Sequence, residues 1–274
     1  MPGYLPFAGR NAIAEMSVGI QFALPFDPSI GEKADAIKAA FGTDFPKFDP
    51  VQTVVLNIGI QSPMLPGGPQ SNAGGFVLTK PKSDGNPARM IRIIGNTISV
   101  HIMEYTSWKE IKALALDYIS RCLTQLGLIE NNPVTVVLMR YVDRFTYDGD
   151  FKDASAGDLL QKNSEFVVSK IFGSGNQWHC NSGWYQPLIA ESLALHNLNT
   201  SSVMLQNVSN VVIDHNSYYV LPTRCFSFDE LMHGVQNRPP IGEILDRLHT
   251  TNVEVLKKLL VPKILATIGM EGAA

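Results

Sequence analysis

The sequence predicts an α+β protein of two tandem, duplicated modules, each a curved antiparallel sheet packed against a long helix. Short runs of alternating apolar residues recur through both halves of the chain. Each half closes on a segment whose apolar residues fall at helical spacing, and the order strand, helix, several strands, helix reads twice. The expected boundary near residues 130–133 separates an N-terminal sheet-and-helix module, residues 1–130, from a C-terminal one, residues 131–274. Identity between the halves is low, so the duplication rests on element order.

In the first half, Ala14, Met16, Val18, Ile20 and Phe22 form one face of a strand whose other face is Glu15, Ser17, Gly19 and Gln21. Ser29 with Glu32 makes a capping-box pattern, and Ile30, Ala34, Ile37 and Phe41 carry helical spacing as far as Gly42. Gln52, Val54, Leu56, Ile58 and Ile60 share a face of a second strand. Three prolines and four glycines make residues 62–75 an irregular connection. Strands follow near residues 76–80, 89–94 and 97–104, with a turn at Gly95-Asn96 between the last two. Ser107 and Glu110 then box the start of a helix striped by Trp108, Ile111, Ala115, Ile119, Cys122, Leu123 and Leu126, which stops at Gly127.

The second half opens on a long strand, residues 134–147, that runs into an acidic turn and a short helix near residues 154–161. Further strands are expected around residues 166–172, 192–197, 202–206, 210–215 and 218–221. Ser227 and Glu230 form a third box, and Ile241, Ile244, Leu245, Leu248, Val255, Leu256, Leu259, Ile264 and Ile268 recur at helical spacing with a kink at Pro262.

Charged residues make up 17% of the chain and hydrophobic ones 45%. An average globular chain is roughly 25% charged, so a surface this sparsely charged points to a protein partner or a homo-oligomer, a symmetric homodimer first. The apolar arc of the C-terminal segment, Leu256, Leu259, Leu260 and Ile264, is the expected contact. A net charge of −3 and scattered Lys and Arg supply no basic field, so nucleic acid is not an expected partner. No run reaches the roughly 18 apolar residues of a membrane span. Cys122, Cys180 and Cys225 are distant and odd in number, as in a reduced, cytoplasmic protein.

No complete catalytic motif stands out. Trp178-His179-Cys180 places a thiol beside an imidazole, but neighbours on an extended segment point to opposite sides, so Cys180 needs a distant histidine. The histidines form no metal-ligand spacing and the glycine-rich run lacks the Lys-Ser of a phosphate loop, so no metal and no cofactor are expected. Arg140 and Arg144 fall on one side of their strand, opposite Tyr141, Asp143 and Phe145, where they can clamp an anion or pair with acids of a neighbouring strand. Asp214-His215 ends an apolar run, where acid and base pairs often sit. Arg140, Arg144, Asp214 and His215 are therefore the candidate ligand-binding residues.

The run Leu138-Met139-Arg140-Tyr141-Val142-Asp143-Arg144-Phe145 resembles the central strand of a sporadically distributed, uncharacterised prokaryotic family of about this length. Asn11-Ala12-Ile13-Ala14-Glu15-Met16, Tyr105-Thr106-Ser107-Trp108, Ile213-Asp214-His215 and Leu245-Asp246-Arg247-Leu248-His249 are similar to that family's landmarks, in order and over nearly the whole chain. The family carries Asn where Asp143 stands. The resemblance implies no activity; its patchy occurrence implies an accessory role in a mobile-element or defence-related system. The functional expectation is a non-catalytic binding or regulatory protein, the alternative being a small-molecule-binding protein or enzyme that uses the cleft between modules.

Overall fold

A computed structural model describes residues 3–54, 71–127, 132–189, 192–205, 208–236 and 238–270. The N-terminal half holds strands β1 (Gly3–Pro6) and β2 (Ile13–Phe22), helix α1 (Ala34–Phe41), strands β3 (Lys47–Val54), β4 (Ser71–Pro81), β5 (Pro87–Ile94) and β6 (Thr97–Ile102), and helix α2 (Trp108–Leu126). The C-terminal half holds β7 (Val134–Asp148), β8 (His179–Ile189), β9 (Ser192–Leu205) and β10 (Val208–Cys225), then helices α3 (Phe228–His233), α4 (Ile241–Leu259) and α5 (Pro262–Thr267).

The protein is α+β, with one large antiparallel sheet. Where the sequence predicts two sheets, the structure joins the strands into a single ten-stranded sheet ordered β3-β4-β5-β6-β2-β7-β10-β9-β8, with β1 added beside β7. The joint is the antiparallel pairing of β2 with β7, which sets Met16 opposite Tyr141, Val18 opposite Met139 and Ile20 opposite Val137. Partners directly opposite share a face, so the apolar side of one half continues into the apolar side of the other.

Both apolar clusters lie on that inner face. One cluster joins Met16, Val18, Ile20, Ile91, Ile93, Val100, Val137 and Met139 to Ile37 and Phe41 of α1, to Ile111, Ile119, Cys122 and Leu126 of α2, and to Ile241, Leu245 and Leu248 of α4. A second joins Phe145, Leu198, Val211 and Ile213 to Leu159, Leu160 and Ile171 of the connecting segment, and to Val255, Leu256, Leu259 and Ile264. Burying each such side chain is worth about 1.5–3 kcal/mol.

Helix α2 has the bounds its sequence predicts. The Ser107 side chain accepts from the Glu110 N–H, and Gly127 closes the helix in the left-handed conformation at φ 63°. The expected Ser29 box does not cap α1: Asp27 accepts from the Ser29 N–H at the head of a 3-10 helix (Pro28–Lys33) that leads into α1, and Lys33 at the cap position of α1 makes no side-chain capping bond. The expected second strand begins earlier, at Lys47; Leu56, Ile58 and Ile60 lie outside the described residues, as does most of the connection at 62–75. The last residues of that connection belong to β4, where Gly75 at φ 135° bulges and any Cβ would run into the Ile93 carbonyl oxygen.

Residues 166–172, expected as a strand, are turns and a 3-10 helix, and the expected helix near 154–161 is a single 3-10 turn, Ala156–Asp158, two residues after another at Phe151–Asp153. Strand β8 occupies residues where no strand is expected from sequence, and β9 and β10 each merge two expected strands. Pro262 starts α5 as its first residue instead of kinking one helix. The C-terminal arc is not a free surface: Leu259 and Leu260 are 0% exposed, and Leu256 and Ile264 are buried with them in the second cluster.

Because Ile119 is 0% exposed between α2 and the sheet, Ile119→Ala should cost about 2–5 kcal/mol by loss of contact and residual cavity. Urea unfolding of the variant measures it, and wild-type stability would refute the packing described.

Candidate functional site

The outer face of the sheet carries a line of hydrogen-bonded charges across its centre. Arg140 stands opposite Ser17 of β2 and Asn216 of β10, so its side chain lies where both halves of the sheet meet. Its Nε and Nη2 donate to the two carboxylate oxygens of Asp214, each at 2.8 Å, the planar two-point match that a guanidinium makes with a carboxylate. Asn216 Nδ2 donates to Asp214 Oδ1 at 2.9 Å. On the other side Arg140 Nη1 lies 3.8 Å from Glu15, which bonds His101 Nδ1 at 2.7 Å, and His101 Nε2 lies 2.9 Å from Ser99 Oγ. The hydrogen bond from His101, helped by the positive field of Arg140, holds Glu15 below its ordinary range against the opposing effect of burial.

Arg144 is on the same face, its guanidinium 3.4 Å from the centroid of the Phe7 ring. Burial lowers its pKa and no carboxylate among the described residues offsets this. Beyond Asp214 the register aligns Asn199 and Asn181, and beside them Asn216, Asn197 and Gly183, a polar field of amides.

His215 points the other way. It is 2% exposed on the inner face, in a belt of polar side chains lying between the two apolar clusters. His215 Nδ1 bonds Asn252 Oδ1 of α4 at 2.8 Å, while Nε2 lies 3.2 Å from His196 Nδ1, which also bonds Ser217 Oγ at 3.0 Å. The Trp184 ring stacks on both imidazoles, with centroids 5.2 and 5.8 Å away. Farther along β7, Tyr141 bonds His249 Nδ1 at 2.8 Å, and His249 stacks on Trp108 at 4.5 Å. Trp108 Nε1 and Lys112 Nζ both donate to Asp246, tying α2 to α4. Asp143, 2% exposed, leaves Oδ2 without a hydrogen-bond partner, as His196 leaves Nε2.

Of the residues singled out from sequence, the structure thus brings Arg140 and Asp214 into contact, sets Arg144 on their face, and puts His215 on the opposite one. The four do not line a cleft between modules, because the halves meet in a hydrogen-bonded strand pair. A cleft of about 450 Å³ does exist, within the second half, walled by Phe166, Ser182, Trp184, Gln186, Thr251 and Val255, with Lys258 and Glu165 paired at 2.9 Å beside it. Cys180 is buried against Trp178 and Leu198, while His179 faces outward to Asn199. His196, Asn252 and Asp143 were not foreseen. The available signal was a polar residue at an apolar phase: His196 between Ala194 and Leu198, Asn252 four after Leu248, Asp143 between Tyr141 and Phe145.

The segments around Ile13, Trp108, Tyr141, His215 and His249 come together at the belt. Ile13 pairs with Asp143, Tyr141 with His215, and Trp108 packs on Asp246 and His249. Comparison with family models, with curated proteins and with solved structures finds no match. Among the described residues no group of three or more His, Cys, Asp or Glu side chains could hold a metal ion, and no helix is long and apolar enough to cross a membrane.

The belt contains two opposed titrations. Burial, with the neighbouring His215 ring, holds His196 down to about 4, whereas burial pushes Asp143 up to about 7. Unfolded chains titrate His near roughly 6.5 and Asp near roughly 3.9. As pH falls from 7 to 4, the unfolded chain gains a proton on His196 that the folded chain refuses, which destabilises the fold. Over the same window the folded chain gains a proton on Asp143 that the unfolded chain lacks, which stabilises it; at full extent the effects amount to about 3 kcal/mol for His196 and about 4 kcal/mol for Asp143. Asp143→Asn should therefore lose stability more steeply than wild type between pH 7 and 4, and His196→Gln less steeply. Denaturant titrations at stepped pH test both, and parallel profiles for all three proteins would rule the opposition out.

Proposed function

We propose that this chain is a non-catalytic binding or regulatory protein that presents the outer face of its sheet to a protein partner. The observation that carries the reading is one-sided packing: each described helix that buries side chains sends them to the inner clusters, so no described helix covers the Arg140, Asp214 and Arg144 face. A rigid, hydrogen-bonded array on strands is suited to recognition, since its side chains lose little freedom on contact. Glu15, Asp214 and the two arginines mix both signs, and with the net charge of −3 this favours a protein surface over nucleic acid or a membrane.

The matching strand order supports an origin by duplication into modules over residues 1–130 and 131–274. In each half the opening strand, β2 or β7, pairs with the last strand of its meander, β6 or β10, and a 19-residue helix follows. An accessory role in a cytoplasmic prokaryotic mobile-element or defence-related system rests on the family resemblance alone. The second reading, a small-molecule site, is favoured by the Trp184 cleft.

A photoreactive residue at Asn216, on the outer face, should yield a defined covalent adduct with a protein partner in cells. The same probe at Glu254, on the helical side, should not. Arg144→Glu should remove the Asn216 adduct without changing thermal stability, and equal adducts from both positions would defeat the outer-face reading.

A further inference from the structure

The two edges of the sheet differ in chemistry. Edge strands expose unpaired N–H and C=O groups, and monomeric proteins blunt them with charges, prolines, bulges or a covering segment. The β3 edge is blunted in this way: Lys47 and Asp49 stand exposed and paired at 3.2 Å, and Pro50 follows. At the other edge β8 pairs only with β9. Its residues, His179–Ile189, include no Lys, Arg, Asp or Glu, and neither does β9, Ser192–Leu205. The register between them runs without a bulge from His179 to Pro187, so no twist carries the edge out of reach.

This edge is braced from inside and bare outside. Ser182 Oγ donates to the Phe166 carbonyl at 2.6 Å, Trp184 stacks on His196, and Arg247 Nη1 donates to the Leu188 carbonyl at 3.1 Å. His179, Asn181, Gly183, Tyr185 and Pro187 are exposed. Tyr185 is 68% exposed on the outer face, aligned with Leu195 and Tyr218, and Leu193 and Val220 beside it are 46% and 58% exposed. An apolar patch therefore adjoins the uncharged edge.

We infer that the β8 edge pairs antiparallel with the β8 edge of a second copy, extending the sheet through a two-fold axis. The chemistry selects a copy of this chain as the occupant. An antiparallel two-fold strand pair sets the residue at the axis opposite its own counterpart and each residue before the axis opposite one after it, so every charge on the strand is duplicated within the pair, and an uncharged strand avoids that repulsion. Of the two long edges only β8 is uncharged, the other uncharged strand with a single partner, β1, being four residues long and ending in Pro6, and a two-fold contact through β8 closes at two copies. The low charge of the whole chain, 17%, fits a surface partly covered by its own kind. The contact moves the expected self-association from the C-terminal helices, whose apolar residues are spent inside the subunit, to β8. It does not rest on the outer-face reading, and either stands if the other fails.

Sedimentation of the full chain over a dilution series should give twice the 30.1 kDa of one chain at high concentration and dissociation on dilution. Asn181→Lys and Tyr185→Lys should each weaken the dimer at least about tenfold, because each brings two like charges, one from each copy, into the same strand pair. Single cysteines at positions 179, 181, 183 and 185 form a second test that does not depend on those variants folding. Cys122, Cys180 and Cys225 are buried and should stay silent. One position should crosslink to itself in high yield, with yield falling two residues either side, while Lys47→Cys on the β3 edge should not crosslink. A monomer at every concentration, an unchanged dimer in both lysine variants, or crosslinking at Lys47→Cys in place of β8 would overturn the inference.

Discussion

The pairing of β2 with β7 is the constraint on which the rest of the structure depends. Each of these strands already has its own meander beside it, β6 for β2 and β10 for β7, so joining them leaves one sheet with one parity from edge to edge. Side chains alternate with a period of two, and a sheet that is apolar on one face in both halves must take its helices on that face. Gly19 sits in this joint, where a Cβ would come within 2.9 Å of the Ile98 carbonyl oxygen and 3.1 Å of Ser99 Cβ. The pair joins residues over a hundred positions apart in the chain, yet loop-closure entropy grows only logarithmically with that separation.

The inner face is not uniformly apolar, and that shapes how α4 lies on it. Along β10 the residues Ile213, His215, Ser217 and Tyr219 change from apolar to polar and back, and β9 does the same through Leu198, His196 and Ala194. Helix α4 follows with Leu248, Asn252 and Val255. The polar positions meet only in one alignment of helix and strands. A one-residue slip of β10 would carry Asp214 and Asn216 inward and expose Tyr219, so the belt adds to the register already specified by the apolar pattern. Buried atoms without partners, His196 Nε2 and Asp143 Oδ2, each cost about 1–3 kcal/mol. The His215–Asn252 and His196–Ser217 hydrogen bonds satisfy other polar atoms of the belt, while the Tyr219 hydroxyl also lacks a partner among the described residues.

On the outer face the same strands present charge to water. The Arg140 and Asp214 side chains keep 37% and 21% of their exposure, so their attraction is screened and its share in stability is modest. Geometry is the more important consequence. Glu15, Arg140, Asp214 and Asn216 come from three strands and hold one another in fixed positions, whereas a free arginine would sample many rotamers. Arg144 is fixed by stacking on Phe7 of the segment after β1, which also donates its N–H to the Arg144 carbonyl at 2.9 Å.

What could be read from the sequence was local. Helix α2 was legible because Ser107, Glu110 and Gly127 mark its ends and its stripe has one phase, and β7 was legible because its alternation puts Arg140 and Arg144 opposite Tyr141 and Asp143. Strand β8 was not, because Gly183 and Pro187 mimic loop chemistry in a strand whose outward positions are polar. Strand β10 read as two pieces because Asn216 and Ser217 interrupt its apolar run, although Asn216 bonds Asp214 on its own strand and Ser217 bonds His196 across the sheet. Composition and periodicity determined that the chain is α+β and which faces of its longest elements are apolar. Only the tertiary structure decided that two runs of strands make one sheet, that Asp214 meets Arg140 while His215 turns to Asn252, and that the C-terminal arc is buried. Those outcomes depend on register between residues 37 to more than 100 positions apart, and local spacing carries no information about it.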